Sequence, residues 1–400
     1  MTDQRLLQAV FYNNPDQYPP IINGIRLLSK SGFRVELFCR DDGNVWNVSY
    51  PDTARIHRIP ASRQNSKSEF LDFAREVLSR SRKDSAAFIG HDMHGFLVAK
   101  VLSAYRKRPL IYHNHDFAED LGSLRLGSKL VGLFERTMAR TSNLTIIPDA
   151  ERAALVAQKL RLKEAPIVAA NAPLGQPVGN GGSLTGVLAS KGLHFDAIAI
   201  RQGRIGPGHA IEPTIRSIPY WKGKNWGLVL VGPGHRDYVE YLRSLSREVA
   251  SDGRVVILPP VPYDELPGYT MDAAVGIALY ESIHVNHATS TTSSNKMMEY
   301  MAASLPVIVS DTPSLRSFMS AHECGFTADE RCPQSIAAAV NRLLGDPAFA
   351  QAIGRAGARA FCKNFNYEIQ YRPVLDWLAA ASAKTQSPSG ALKDGAGGFV

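Results

Sequence analysis

The feature that most constrains this chain is a rhythm. Short apolar runs alternate with amphipathic stretches from one end of its 400 residues to the other. In the first half the strand-like runs are Val10–Tyr12, Val35–Phe38, Ala86–Ile89, Leu110–Tyr112 and Leu144–Ile147. Between them, Asn23–Ser31, Glu69–Ser79, Phe96–Tyr105, Lys129–Ala139 and Glu151–Lys159 carry helical periodicity. Strand followed by helix in this repeat predicts a parallel, doubly wound sheet. Over 175–194 the periodicity fails in a Gly- and Pro-rich stretch that reads as a linker. The rhythm then restarts with Ala197–Arg201, Leu228–Val231, Val255–Leu258, Ala274–Leu279 and Val307–Val309. The expected fold is therefore α/β: two Rossmann-like doubly wound domains, 1–174 and 195–365, facing each other across a cleft. Residues 366–380 form a last helix, Gln370–Ala380 at its core. The Ser/Gly/Pro/Ala-rich tail 381–400 reads as disordered. Ligands of open α/β sheets sit beyond the carboxyl ends of the strands, which puts the expected site in the cleft.

One stretch within the second domain asks for a ligand. Ser293, Ser294 and Asn295 are helix-start residues, Lys296–Ala303 reads as a short helix, and Pro306 ends it ahead of the buried strand. Glu299 stands alone in this apolar helix, with Ala302 and Ala303 where a cation would pair with it. A buried, unpaired carboxylate is costly. Either Glu299 faces water or it accepts hydrogen bonds from outside the chain. A helix start bearing Lys296 suits phosphate, and a carboxylate one turn later suits sugar hydroxyls.

Residues 293–311 resemble the donor-site segment of retaining glycosyltransferases of the GT-B fold, family 4 in particular, where Asn-Lys, Glu, Ala and Pro-Val-Ile recur. The resemblance implies that Glu299 holds the donor ribose. A second family glutamate would fall at position 291, where this chain has Thr291. Gln202-Gly203-Arg204-Ile205-Gly206-Pro207-Gly208-His209 resembles the family's diphosphate clamp, in which Gly-Arg is followed five residues on by a second cation. Here that residue is His209, a full cation only when protonated. The resemblance also implies a nucleotide contact at the Gly232 turn and a base contact near Val261. Tyr112-His113-Asn114-His115-Asp116 is similar to the family's His-Asp or His-Glu pair, so His115 is expected to touch the donor sugar. Asn13-Asn14-Pro15 stands where relatives keep a glycine pair, and Asn13, Asn14, His91 and Asp116 are expected on the acceptor side. The implied chemistry is transfer of a sugar from a nucleoside diphosphate sugar to an acceptor hydroxyl with retention. The catalytic set would be His115, Arg204, Lys296 and Glu299, and the donor contacts Gly203, Arg204, His209, Gly232, Val261, Ser294, Asn295, Lys296 and Glu299.

Other readings narrow the field. Val229–Asp237 could pass for a dinucleotide fingerprint, but Asp237 holds its third glycine position and no acidic residue ends a matching strand. The four histidines His91, His94, His113 and His115 fit no standard metal spacing, so no metal and no other cofactor is expected. Cys39, Cys324, Cys332 and Cys362 are scattered and read as reduced thiols of a cytoplasmic protein. The start of the chain shows no signal-peptide pattern. A net charge of +8 favours anionic ligands or an anionic membrane face. Leu124–Arg140 mixes Arg and Lys with Leu and Phe, and Arg106-Lys107-Arg108 adds charge. Both are either solvated faces or peripheral contacts with the inner face of an anionic membrane. Neither interleaves aromatics for stacking bases, so no nucleic acid partner is expected. The alternatives to transfer are a sugar-nucleotide epimerase of the same fold and a non-catalytic relative that only binds the donor.

Overall fold

A computed structural model describes residues 5–44, 46–60, 69–175, 181–250, 253–282 and 285–384. The first sheet has seven strands: β1 (Leu6–Phe11), β2 (Arg34–Asp41), β3 (Ala54–Pro60), β4 (Ala87–His91), β5 (Leu110–His113), β6 (Leu144–Ile147) and β7 (Ile167–Val168). Their order is β3-β2-β1-β4-β5-β6-β7, every pair parallel. The second sheet comprises β8 (Ala197–Gln202), β9 (Trp226–Val231), β10 (Val255–Leu258), β11 (Val275–Ala278), β12 (Val307–Ser310) and β13 (Gly325–Ala328). Its order, β10-β9-β8-β11-β12-β13, repeats the winding of the first. Each sheet reverses direction beside its first strand, between β1 and β4 and between β8 and β11. The carboxyl ends at such switch points are where a crevice opens.

The runs without polar alternation became central strands because parallel strands covered by helices on both faces must be apolar on both. Leu228, Val229 and Leu230 in β9 are all fully buried. Three strands escaped the sequence reading. The edge strand β3 alternates Arg and His with apolar residues, while β7 and β13 are short. The expected linker 175–194 is corrected in part. Leu184–Ser190 is a helix, capped where the Ser183 side chain accepts the Gly186 amide. Residues 176–180 of that stretch, and the tail beyond 384, lie outside the described residues.

The last helix runs Arg372–Lys384, later than expected, and the segment before it is tied to the first domain. Tyr367 donates its amide to the Pro173 carbonyl at 3.1 Å. The Gln370 side chain accepts the Ala170 amide at 3.1 Å, and Glu368 accepts that of Gly175 at 2.9 Å. One body of buried apolar side chains reaches from Leu7, Ile25 and Val35 to Met298, Tyr300 and Val307. It includes Val374 and Leu378 of the returning helix.

Candidate functional site

The site grows from the end of β8. Gly203 has φ +89° and Gly232, after β9, has φ +150°; a Cβ on Gly232 would lie 2.1 Å from the Gly203 carbonyl oxygen. The two turns are pressed backbone to backbone, joined by Gly203 N to Val231 O at 2.9 Å and Ile205 N to Pro233 O at 2.7 Å. Gly232 thus props the turn that carries Arg204. Arg201, 1% exposed, donates Nη1 to the Arg204 carbonyl at 2.8 Å, while its Nε and Nη2 have no partner. The Arg204 side chain is exposed.

Lys296 comes to the same turn from the helix Asn295–Ala302. The helix is capped by Ser294, whose Oγ accepts the Met297 amide at 3.4 Å. Lys296 is 7% exposed, and its stem passes the Gly203 turn. Nζ lies 2.5 Å from the Tyr280 hydroxyl and 4.1 Å from that ring's centroid. Burial pulls the Lys296 pKa below the usual lysine value. Burial alone would raise that of Tyr280, but the Lys296 ammonium brings it down on balance. His209 is half-buried against Tyr280 and His287, with Nδ1 unpartnered. Burial first, then Lys296 and Arg201, hold its pKa far below the ordinary histidine value. These surroundings favour the neutral ring. Among the described residues no ion pair joins Arg201, Arg204 or Lys296 to a carboxylate. Buried cations without a counter-charge are costly unless a ligand supplies it.

Glu299 lies one turn beyond Lys296. Its Oε2 accepts from Gln202 Nε2 at 2.6 Å, and Gln202 Oε1 in turn accepts from Thr270 Oγ1 at 2.8 Å. Its Oε1 is buried with no partner. Burial raises the carboxyl pKa, against the Gln202 bond and the Lys296 charge. The side chain neither turns out to bulk solvent nor pairs with an arginine. It lines a small pocket with Gln202, Thr270, Tyr263, Leu266 and Pro173. Val261 packs half-buried against the core, and the Asn295 Oδ1 is buried and unpartnered. Thr291, at the position of the second family glutamate, also has a buried, unpartnered hydroxyl.

The first domain supplies the opposite wall. Asn13 donates Nδ2 to the Tyr18 hydroxyl at 2.7 Å. Asn14 is buried inside its own loop, donating to Asp42 at 2.7 Å and accepting the Asp16 amide at 3.1 Å. Asp116 is exposed. Its neighbour Asp92 accepts the amides of His115 and Asp116 at 2.7 and 3.2 Å. Burial, then Asp116, push the Asp92 carboxyl up to about 8. His91 and His115 do not open onto the cleft surface. They are 7% and 5% exposed and meet each other, His91 Nδ1 to His115 Nε2, at 3.0 Å.

Arg152 ties the two walls together and was not visible in the sequence reading. It is 2% exposed and donates to the carbonyls of His115 (2.7 Å), Asn286 (2.7 Å) and Thr289 (3.1 Å) and to Ser293 Oγ (2.9 Å). Asp149 accepts the Thr292 amide at 3.0 Å, and the Asn171 side chain donates to the Ser293 carbonyl at 3.0 Å. The segment leading into the Lys296 helix is thereby held by the first domain. Gln202, Thr270, Arg201 and Tyr280 were likewise missed as site residues. A polar residue ending an apolar strand, as Arg201-Gln202 does, is the one signal that points to them.

Two parallel sheets of this winding, with a cation-lined crevice between them, define the GT-B fold class, and the comparisons agree. Residues 199–346 match the model of the family "Glycosyl transferases group 1". No curated protein sequence matches the chain significantly. Among solved structures, sucrose-phosphate synthase from Thermosynechococcus elongatus is similar with TM-score 0.72 and 16% identity, over 95% of this chain and 100% of that one. The Anabaena protein HepE in complex with UDP and glucose follows with TM-score 0.71 and 14% identity, over 94% and 100%. WaaG, a glycosyltransferase of lipopolysaccharide biosynthesis, gives TM-score 0.68 and 12% identity, over 93% and 99%. The resemblance to GT-B glycosyltransferases drawn from residues 293–311 and 202–209 is confirmed, and the chain has the GT-B fold.

Proposed function

We propose that this protein is a retaining glycosyltransferase of family 4 type that moves a sugar from a nucleoside diphosphate sugar to an acceptor hydroxyl. The observation that carries the reading is Glu299. One carboxylate oxygen is fixed by Gln202 and the other is buried without a partner, beside a helix start that presents Lys296. Two ribose hydroxyls would supply the missing donors. The diphosphate would meet Arg204, Lys296, the amides near Ser294 and Asn295, and a neutral His209 able to donate one hydrogen bond. Preorganised donors of this kind stabilise charge as it grows on the leaving diphosphate. In retaining transfer without a protein nucleophile, the acceptor oxygen attacks on the face the diphosphate leaves, and a diphosphate oxygen takes its proton. The transfer itself calls on no metal. The loop of His115 and Asp116 forms the facing wall, and closure of the cleft excludes water from the donor.

Relatives of the same fold were solved with UDP, UDP-glucose and UDP-2-fluoro glucose, which supports uridine diphosphate sugars as the first donors to try. The test is thermal shift with uridine, guanosine, adenosine and thymidine diphosphates and their sugars, followed by product analysis. A cognate diphosphate should raise Tm, and Glu299→Ala should abolish most of the rise. An unchanged rise in that variant removes the ribose role. Donor isomerised without an acceptor would mean an epimerase, and binding without turnover over a broad acceptor panel a non-catalytic relative.

A peripheral membrane contact belongs to the same proposal. No helix among the described residues is long and apolar enough to cross a membrane. The helix Leu126–Met138, however, exposes Leu126, Leu130 and Leu133 along one stripe, at 75%, 60% and 53%, with exposed Arg125 and Arg140 at its ends. An apolar stripe flanked by cations suits the headgroup region of an anionic bilayer.

A further inference from the structure

The donor chemistry leaves one buried cluster unused. His91 ends β4 and His113 ends β5, and the parallel register sets them side by side. His115 returns over both because Asp92 accepts its amide and that of Asp116. Ring centroids are 5.3 Å apart for His91 and His113, 5.2 Å for His91 and His115, and 4.1 Å for His113 and His115. One ring nitrogen from each lies within 4.8 Å of the other two. Neither nitrogen of the 2%-exposed His113 has a partner, nor does His115 Nδ1, and all three atoms are buried. Each orphaned polar atom in such a place costs about 1–3 kcal/mol. Three such atoms, two on His113 and one on His115, gathered beside the His91 ring, ask for something bound among them.

We infer that His91, His113 and His115 form a binding site for one borderline divalent transition-metal ion, with Zn2+ as the natural occupant. Three imidazole nitrogens match the preference of zinc, cobalt and nickel, and the absence of a carboxylate from the set argues against magnesium or calcium. Zinc–nitrogen bonds of about 2.0–2.1 Å bring tetrahedral ligand atoms to roughly 3.4 Å from one another. His91 Nδ1 and His115 Nε2, at 3.0 Å, are already that close, and a ring nitrogen of each of the three histidines lies within 4.8 Å of the other two. Tyr371, from the returning C-terminal segment, covers the cluster with its ring 6.1 Å from that of His113. The ion would be enclosed, with water as its fourth ligand. It would tie the ends of β4 and β5 to the loop that forms the first-domain wall of the cleft. It would also occupy the His115 imidazole, leaving that loop's backbone and Asp116 to meet any sugar. The spacing His91, His113, His115 matches no common metal motif because β-sheet register, not sequence proximity, brings the first two together.

The inference stands apart from the donor reading, and the same samples separate them. The full chain is stripped with a chelator and titrated with Zn2+ and with Co2+. Bound metal, Tm and the visible absorption of Co2+ are followed, alongside the thermal shift with uridine diphosphate. The expected result is one equivalent of Zn2+, a raised Tm, and Co2+ bands of a four-coordinate site of three nitrogens and one water. His91→Gln and His113→Gln should each weaken Zn2+ binding by roughly 100-fold. Any uridine diphosphate shift depends on Glu299 and should survive in both. Substoichiometric or millimolar binding by the unaltered chain, a Co2+ spectrum of the hydrated octahedral ion, or binding by both variants as tight as by the unaltered chain overturns the inference. The Co2+ spectrum of the unaltered chain decides the matter even where a variant fails to fold.

Discussion

The substitution Glu299→Gln separates what this residue costs the fold from what it does for a ligand. Glutamine keeps the bond with Gln202 but cannot carry the charge that burial opposes. The folded-state pKa lies above the ordinary carboxylate value. As pH rises from about 4.5, the unfolded chain therefore ionises first and folding loses stability. Glu299→Gln should consequently stabilise the ligand-free protein by about 1 kcal/mol at pH 8, a Tm gain of about 1 °C, and by nothing at pH 4. The same variant should lose most of the Tm rise given by the cognate diphosphate, because an amide NH2 cannot accept from a ribose hydroxyl. Lys296→Met offers the parallel case for the diphosphate. It removes a buried ammonium from beside Arg201 and should weaken diphosphate binding by roughly 10- to 100-fold in calorimetry, since bonds to charged groups contribute about 1.5–3 kcal/mol. Ligand-free stability should hold or rise. A variant that bound as tightly as the original would show that the cation serves packing against Tyr280 instead.

At the scale of elements, the strands were legible because parallel strands covered on both faces leave an unbroken apolar mark. Leu144–Ile147 and Val255–Leu258 fall where the residues alone put them. Edge strand β3 was not legible, since its exposed face carries Arg55 and the run offers no continuous apolar signal. The helix with Lys296 and Glu299 was readable for a different reason: an acid in apolar company with no local cation is a local anomaly. Arg152 had no such mark. Its second-domain partners lie 134–141 residues downstream, and with His115 most of its partners are backbone carbonyls, which no side-chain pattern announces. The same holds for the histidine cluster, where register rather than spacing does the assembling. Arg152→Met therefore makes an informative variant. It removes the donors while leaving buried carbonyls unsatisfied, and should destabilise the protein by about 2–4 kcal/mol in urea denaturation. Diphosphate binding should weaken too, since the segment leading to Lys296 loses its anchor. On the opposite face, the double substitution Leu126→Asp with Leu130→Asp tests the exposed helix stripe. The unaltered chain should sediment with phosphatidylglycerol-containing vesicles at low salt and less so at high salt. The variant should remain in the supernatant with unchanged Tm, because both leucines are exposed. Failure of the unaltered chain to sediment at low salt would leave the stripe as an ordinary solvated face.

For the molecule as a whole, the two sheets do not behave as beads on a string. Arg26 of the first domain pairs with Asp264 of the second at 2.7 Å, and Asn23 reaches the Tyr263 hydroxyl at 3.0 Å, next to the pocket that holds Glu299. The Arg26 pair is partly exposed and contributes little by itself. The returning C-terminal segment contributes more. Tyr371, Val374 and Leu378 are at most 2% exposed within the core that spans both sheets. Burying three such side chains amounts to about 4.5–9 kcal/mol, at about 1.5–3 kcal/mol each, against a whole-protein stability of about 5–15 kcal/mol. Ending the chain after Gln370 should therefore abolish cooperative unfolding in calorimetry and give an expanded, aggregating species on gel filtration. Removing only residues 385–400 should change neither Tm nor elution volume if the core ends where the buried side chains do. If the chain cut after Gln370 kept the original Tm, the C-terminal helix would be an ornament on the fold. The covering of His113 by Tyr371 would then need another physical account.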